Sequence, residues 1–196
     1  QTVTVTDDVA TVIACPGTIS VNVDYANDCK TDSVITTQML MDAYYEAHKS
    51  EATEITTSTN ETKAPYAYHK TGDKIDKIYD ECGGELSFFV GLTNTEETSS
   101  VTVNVALGET DKYVYWTMKD STGNAATCST QVVAKDDKSP EVTAPGSVTV
   151  HTSTKDNICS GDTSLVYQNV IDSLQIKECS GYTVTYSVDG ATAVTM

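Results

Sequence analysis

The chain has 196 residues, a formal net charge of -16 at pH 7 and a sequence pI of about 4.3. Such an acidic chain repels nucleic-acid phosphates and anionic lipid headgroups, so its charge disfavours both as partners. No apolar run in the sequence approaches the roughly 20 residues that a membrane helix needs. The sequence therefore predicts neither nucleic-acid binding nor membrane insertion.

Strand patterns recur along the whole chain. Thr alternates with Val or Tyr in three segments, which are Thr2–Thr6, Ser100–Val105 and Tyr182–Val188. A period of two places one residue type on each face of a strand, and Thr, Val and Tyr suit the pleated surface of a sheet. The sequence therefore predicts an all-β fold of antiparallel sheets.

An internal repeat divides the chain into modules. Asp7–Val21 aligns without gaps with Asp136–Val150, and both copies begin with two aspartates and contain a Pro-Gly pair. Repeats of this kind indicate tandem folding units. We expect residues 1–8 to be the last strand of a preceding module plus a linker, residues 9–137 to be one module, and residues 138–196 to be a second, incomplete module.

The six cysteines favour disulfides over a metal site. They contain no C-x-x-C pair, and the three histidines lie far from them in sequence, which is not the ligand spacing of zinc. An even number of cysteines in a strand-rich chain is typical of an oxidising compartment. The residues are Cys15, Cys29, Cys82, Cys128, Cys159 and Cys179.

The repeat predicts which cysteines pair. The second copy has Ala144 in place of Cys15 but keeps Cys159 and Cys179, so these two are expected to bond to each other. Their counterparts in the first copy predict a Cys29–Cys82 bond, which leaves Cys15 for Cys128. The predicted set is therefore Cys15–Cys128, Cys29–Cys82 and Cys159–Cys179.

The first module carries an insertion at about residues 38–80, because its middle cysteines are much further apart than those of the second copy. The insertion begins with Gln38–Lys49, which is rich in helix-forming residues with helical apolar spacing. We expect a short helix there, followed by a polar, tyrosine-bearing loop.

A hairpin is predicted at the end of the first module. Tyr113–Met118 alternates, with Val114, Trp116 and Met118 on the face expected to form the core. Gly123 and Asn124 supply the positive φ angles of a tight turn.

These segments resemble the hyalin-repeat family of immunoglobulin-like modules. The resemblance rests on Val12–Pro16, Asn27–Cys29, the Cys-Gly pair at Cys82, and the Tyr113–Cys128 hairpin. It implies tandem immunoglobulin-like antiparallel β-sandwich modules, as in bacterial surface adhesins of the Bacteroidota type. The insertion and the missing first cysteine of the second copy depart from the family pattern.

Calcium is the cofactor that the acidic residues suggest. Paired aspartates lie at the module junctions, and the turn after Met118 adds further oxygen ligands of the kind that Ca²⁺ prefers. The alternative is that these acids are solvated turn residues. The candidate ligands are Asp7, Asp8, Asp120, Asn124, Asp136 and Asp137.

Tyrosines of the insertion are candidates for stacking on sugar rings. The alternative is that they cover the flank of a small sandwich that is short of large apolar residues. The candidates are Tyr44, Tyr45, Tyr66 and Tyr68.

The sequence shows no nucleophile, zinc-protease or phosphate-loop motif, so no enzymatic activity is expected. The expected function is a structural or adhesive segment of an extracellular, cell-surface protein or filament, with neighbouring modules as partners. Two alternatives are a filament subunit that joins identical copies by strand complementation, and a module that binds surface glycans through the 38–80 insertion.

Overall fold

The protein is described here from a computed structural model, which covers residues 1–4, 6–55, 66–80, 82, 84–144, 146, 174–186 and 194–195. One α-helix and thirteen strands lie within these residues. The helix α1 spans Gln38–His48, and a single 3₁₀ turn spans Tyr25–Asn27. The strands are β1 (Ile19–Asn22), β2 (Lys30–Thr36), β3 (Thr53–Glu54), β4 (Ala67–Thr71), β5 (Lys74–Ile78), β6 (Ser87–Gly91), β7 (Ser100–Ala106), β8 (Tyr113–Lys119), β9 (Ala125–Lys135), β10 (Glu141–Thr143), β11 (Gln175–Lys177), β12 (Thr185–Tyr186) and β13 (Val194–Thr195).

Two sheets share the main hydrophobic core. One sheet has the strand order β1-β9-β8-β6, and the other pairs β2 with β7. Side chains from both sheets, together with Leu40 of α1, form one buried cluster. The fold is therefore mostly β, as the alternating pattern predicts.

The pairing of β1 with β9 is parallel, whereas the sequence predicted antiparallel sheets. Parallel neighbours need a long crossover connection. Here the whole of the chain between β1 and β9 forms this crossover connection. The strand β1, which comes first in the chain, therefore lies beside β9.

Strand periodicity places the core residues as predicted. Alternate residues of β7 are buried, and Val114, Trp116 and Met118 of β8 are almost completely buried. The indole Nε1 of Trp116 donates a hydrogen bond of 2.9 Å to Oγ1 of Thr130 on β9. In the turn between β8 and β9, only Gly123 has a positive φ angle, so the prediction that Asn124 also needs one is wrong.

The insertion contains the predicted helix but is more ordered than the predicted loop. Leu40 and Tyr44 are one helical turn apart on α1, and both are completely buried. After α1, the described residues of the insertion form a three-stranded sheet with the strand order β3-β4-β5. Ile75 and Ile78 of β5 pack with Tyr44 in a second hydrophobic cluster, which the insertion shares with Leu86 and with Met118 of β8.

The amino-terminal segment contains no strand among its described residues. Residues 1–4 and 6 lack regular structure, although Thr2–Thr6 has a strand pattern, and Val3 is 83% exposed. A strand needs a partner for its backbone groups, and alternation alone does not supply one.

The two copies of the repeat differ in local structure among the described residues. Residues 12–14 have no regular structure, while their repeat counterparts form β10, which pairs with β11. The counterpart of β1, at residues 148–151, lies outside the described residues. From the predicted strand Tyr182–Val188, the structure shows Thr185–Tyr186 as β12.

The predicted disulfides are correct for one pair. Cys15 is bonded to Cys128, as predicted. Cys29 is bonded to Cys179, which contradicts both the Cys29–Cys82 and the Cys159–Cys179 predictions. The prediction failed because it assumed that each unit closes its own disulfide, whereas the chain after β11 approaches the turn before β2.

Candidate functional site: an aspartate cluster beside a small cavity

The amino-terminal segment is fastened to the β8–β9 hairpin at three points. The first is the Cys15–Cys128 disulfide. The second is a 2.8 Å hydrogen bond from Thr130 Oγ1 to the carbonyl oxygen of Pro16. The third is a 3.2 Å hydrogen bond from the side-chain amide of Asn124 to the carbonyl oxygen of Asp7. These contacts bring Asp7 beside the turn that follows β8.

Asp120 begins that turn and organises it. Its Oδ1 accepts hydrogen bonds from the backbone amides of Thr122 and Asn124, each at 2.9 Å, and from the Thr122 hydroxyl at 2.8 Å. Its Oδ2 accepts a bond from the Asn124 side-chain amide at 2.8 Å. Burial opposes ionisation, but these hydrogen bonds outweigh it and hold the pKa of Asp120 below its ordinary value.

Asp80 organises a second turn in a similar way. It follows β5, and its Oδ1 accepts the backbone amides of Cys82 at 2.9 Å and Gly84 at 2.8 Å. A Cβ atom on Gly84 would lie 2.3 Å from the Ser121 hydroxyl oxygen. Glycine at this position therefore allows the Asp80 turn to lie against the Asp120 turn.

The three carboxylates form a cluster. One oxygen from each of Asp7, Asp80 and Asp120 lies within 4.8 Å of the others. Asp80 is 3% exposed and Asp120 is 6% exposed. Among the described residues, the ion pairs all involve other acids. Two of the three carboxylates are buried and Asp7 is half-buried, so a cation between them would offset the repulsion among their negative charges.

A cavity of about 180 Å³ adjoins the cluster. The imidazole of His48 at the end of α1 stacks on the ring of Tyr66, with centroids 4.1 Å apart and an interplanar angle of 12°. Tyr66 has a φ of 57°, which is a sterically unfavourable conformation for a bulky side chain. The lining residues are Asp7, Val9, Ala10, Thr11, Val12, His48, Tyr66, Asp80 and Cys82.

The predicted calcium ligands separate into two groups. Asp7, Asp120 and Asn124 come together, and Asp80 joins them although the sequence analysis did not single it out. Asp8 is exposed. Asp136 and Asp137 lie at the start of the segment after β9, and neither belongs to the carboxylate cluster found among the described residues.

Asp136 takes part in a different contact region, close to the Cys29–Cys179 disulfide. Its Oδ2 accepts the backbone amide of Ser180 at 3.1 Å. A hydrogen bond shared with the Glu178 carboxyl group and one donated by the Lys138 amide lower the pKa of Asp136. Lys138 forms an ion pair with Asp24. These contacts and the disulfide join the turn before β2 to the segments on both sides of residues 145–173.

The predicted stacking tyrosines do not form one exposed face. Tyr44 and Tyr68 are buried, so they belong to the core and the ligand-stacking prediction is wrong for them. Tyr45 packs edge-on against Tyr68, and Lys70 lies over both rings. A hydrogen bond with Tyr45 and burial raise the pKa of Tyr68 to about 12. Only Tyr66 of the four lines the cavity.

No protein-family model matches the chain, and neither a curated protein nor a solved structure shows significant similarity to it. The resemblance to hyalin repeats therefore stays a prediction. The two disulfides indicate an oxidising, non-cytoplasmic compartment. Within the described part of the chain, no helix has the length and apolar character needed to cross a bilayer.

The lowered pKa of Asp120 predicts a specific acid response. The ionised Asp120 carboxylate stabilises the folded chain fully at pH values above its ordinary pKa of 3.8. This stabilisation is lost as the pH falls through the lower pKa that Asp120 has in the folded chain. For Asp120→Asn, we expect the free energy of unfolding to fall less steeply between about pH 4 and pH 2 than in the unmodified protein. Urea titrations in EDTA at a series of pH values measure this slope. Asp111→Asn, an exposed control, should follow the unmodified protein, and equal slopes for the Asp120 variant would contradict the prediction.

Proposed function

We propose that this chain is a structural, adhesive segment of an extracellular surface protein or filament, built from disulfide-stapled, immunoglobulin-like modules in series. The proposal is supported by the mostly β fold, the two disulfides and the net charge of -16, which keeps a long surface array soluble. The observation that carries it is the placement of the two disulfides along the chain.

The two disulfides between described residues overlap in sequence. One joins Cys15 to Cys128 and the other joins Cys29 to Cys179, with sequence separations of 113 and 150. The shortest covalent path from Cys15 to Cys179 therefore runs only from Cys15 to Cys29 and then crosses the second disulfide. A pulling force applied through the ends of the chain cannot extend most of the fold while both bonds are intact. Limited extension is the property that a tether between a cell and a surface requires.

Single-molecule force spectroscopy on the full chain, pulled from both ends, tests this property. With both disulfides intact, the chain released between Cys15 and Cys179 should extend by no more than about 50 Å. After reduction, the same stretch should extend to roughly 550–600 Å. Cys29→Ser, which retains the Cys15–Cys128 bond, should give an intermediate value of about 170–180 Å.

The intermediate value is the sharpest part of this test, because it depends on the pairing and not only on the presence of disulfides. Thr127→Ser, at an exposed position on β9, serves as the control and should behave like the unmodified protein. Long extension under non-reducing conditions would exclude a role as a covalently limited tether.

Calcium binding is a second candidate function, favoured by the carboxylate cluster. Ca²⁺ binds oxygen ligands at about 2.3–2.6 Å, so two ligands of one ion lie up to about 5 Å apart. The separations within Asp7, Asp80 and Asp120 satisfy this limit. These three residues would supply carboxylate oxygens from three different segments. Calcium would then fasten the amino-terminal segment to the turns after β5 and β8.

If calcium binds there, it should stabilise the folded chain by mass action. We expect calcium to raise the melting temperature of EDTA-treated protein, and we expect Asp80→Asn and Asp7→Asn to abolish this increase. Isothermal titration with Ca²⁺ on each folded variant measures binding directly. Asp137→Asn is the matched control, because this exposed aspartate lies outside the cluster. Unchanged calcium binding in the Asp7 and Asp80 variants would contradict the assignment.

A further inference from the structure

The cavity beside the aspartate cluster has the size of a single ring. Its volume is about 180 Å³, and an engineered protein cavity of roughly 150 Å³ accommodates benzene. Binding pockets for larger, drug-sized molecules usually exceed about 300 Å³. The cavity therefore suits one six-membered ring or a group of similar volume.

One part of its wall is aromatic and apolar. The stacked rings of His48 and Tyr66 belong to its lining. Val9 and Val12 of the amino-terminal segment also line the cavity and are 72% and 79% exposed. Exposed apolar surface around a concavity favours a ligand with an apolar face.

The polar part of the wall contains both acceptors and donors. Asp7 and Asp80 provide carboxylate oxygens, which only accept hydrogen bonds when ionised. Thr11 and Tyr66 provide hydroxyl groups, which can donate as well as accept. Neither lysine nor arginine is among the described residues that line the cavity. An anionic ligand is therefore disfavoured.

We infer that this cavity binds a single neutral sugar ring, such as the terminal residue of a surface glycan. The hydroxyl groups of a sugar can donate to Asp7 and Asp80 and accept from Thr11, while its apolar face packs on Tyr66 and the valines. An alkylammonium ligand would satisfy the carboxylates but could accept no hydrogen bond from the hydroxyl groups. This inference goes beyond the proposed structural role, because it names the class of ligand that the adhesive segment would bind.

The inference also relocates the sugar site that the sequence predicted. His48, Tyr66 and Asp80 belong to the 38–80 insertion, but the cavity needs Asp7 and Thr11 from the amino-terminal segment as well. The site therefore lies between the insertion and that segment, and Tyr44, Tyr45 and Tyr68 are not among the described residues that line it.

Saturation-transfer NMR on the full oxidised chain tests the inference. The probes are the methyl glycosides of glucose, galactose, mannose, fucose and N-acetylglucosamine, each with Ca²⁺ and with EDTA. We expect at least one sugar to receive saturation, most strongly at the ring protons of its apolar face. Thr11→Val and His48→Ala should each weaken its affinity about tenfold or more. Tyr182→Ala, which removes an exposed tyrosine that is not among the cavity residues, should leave the affinity unchanged.

Thr11→Val preserves the size of a half-buried side chain, so this variant reports on the cavity even if His48→Ala perturbs the helix end. The inference is overturned if none of the sugars binds in either condition, if both variants bind as tightly as the unmodified chain, or if n-butylammonium binds and the sugars do not. Sugar binding in EDTA supports the inference even if the calcium titration fails. The extension measured under force is independent of both results.

Discussion

The Cys15–Cys128 disulfide is the constraint on which the rest of this structure depends. It closes a loop with a sequence separation of 113 residues, which is worth about 4–5 kcal/mol on the chain-entropy model of disulfide stabilisation. The segment before β1 has no strand pairing among its described residues. It is held by this bond, by the hydrogen bonds from Thr130 to Pro16 and from Asn124 to Asp7, and by packing of Ile13 against both core clusters. Asp7, Val9 and the other cavity residues of this segment reach the insertion for that reason.

Local patterns predicted the parts of the fold that depend on periodicity. The alternation in β7 and β8 correctly placed buried residues, including Trp116, and helical spacing correctly located α1. The Thr2–Thr6 segment has an equally clear pattern but is exposed and has no regular structure at its described positions. The difference is physical, because β8 has partner strands on both sides, whereas periodicity cannot reveal whether a partner strand is available.

The candidate site depends on contacts that no single stretch of sequence contains. Asp7, Asp120 and Asn124 were predicted from their residue types, but Asp80 joins them because Gly84 lets two turns approach closely. The Cys29–Cys179 bond depends on where the chain after β11 packs, and repeat alignment gave the wrong partners. Burial of Tyr44 and Tyr68 similarly follows from the second hydrophobic cluster, which joins the insertion to Met118 of β8. These features are tertiary, and residue type alone could not predict them.

Replacing Cys15 and Cys128 together by serine tests the central constraint most directly. The quantity to measure is the free energy of unfolding in urea, followed by the fluorescence of Trp116 under non-reducing conditions. We expect the double variant to be less stable than the unmodified protein by about 4–5 kcal/mol. A difference smaller than about 1 kcal/mol, with Trp116 still buried, would show that the fold does not depend on this bond.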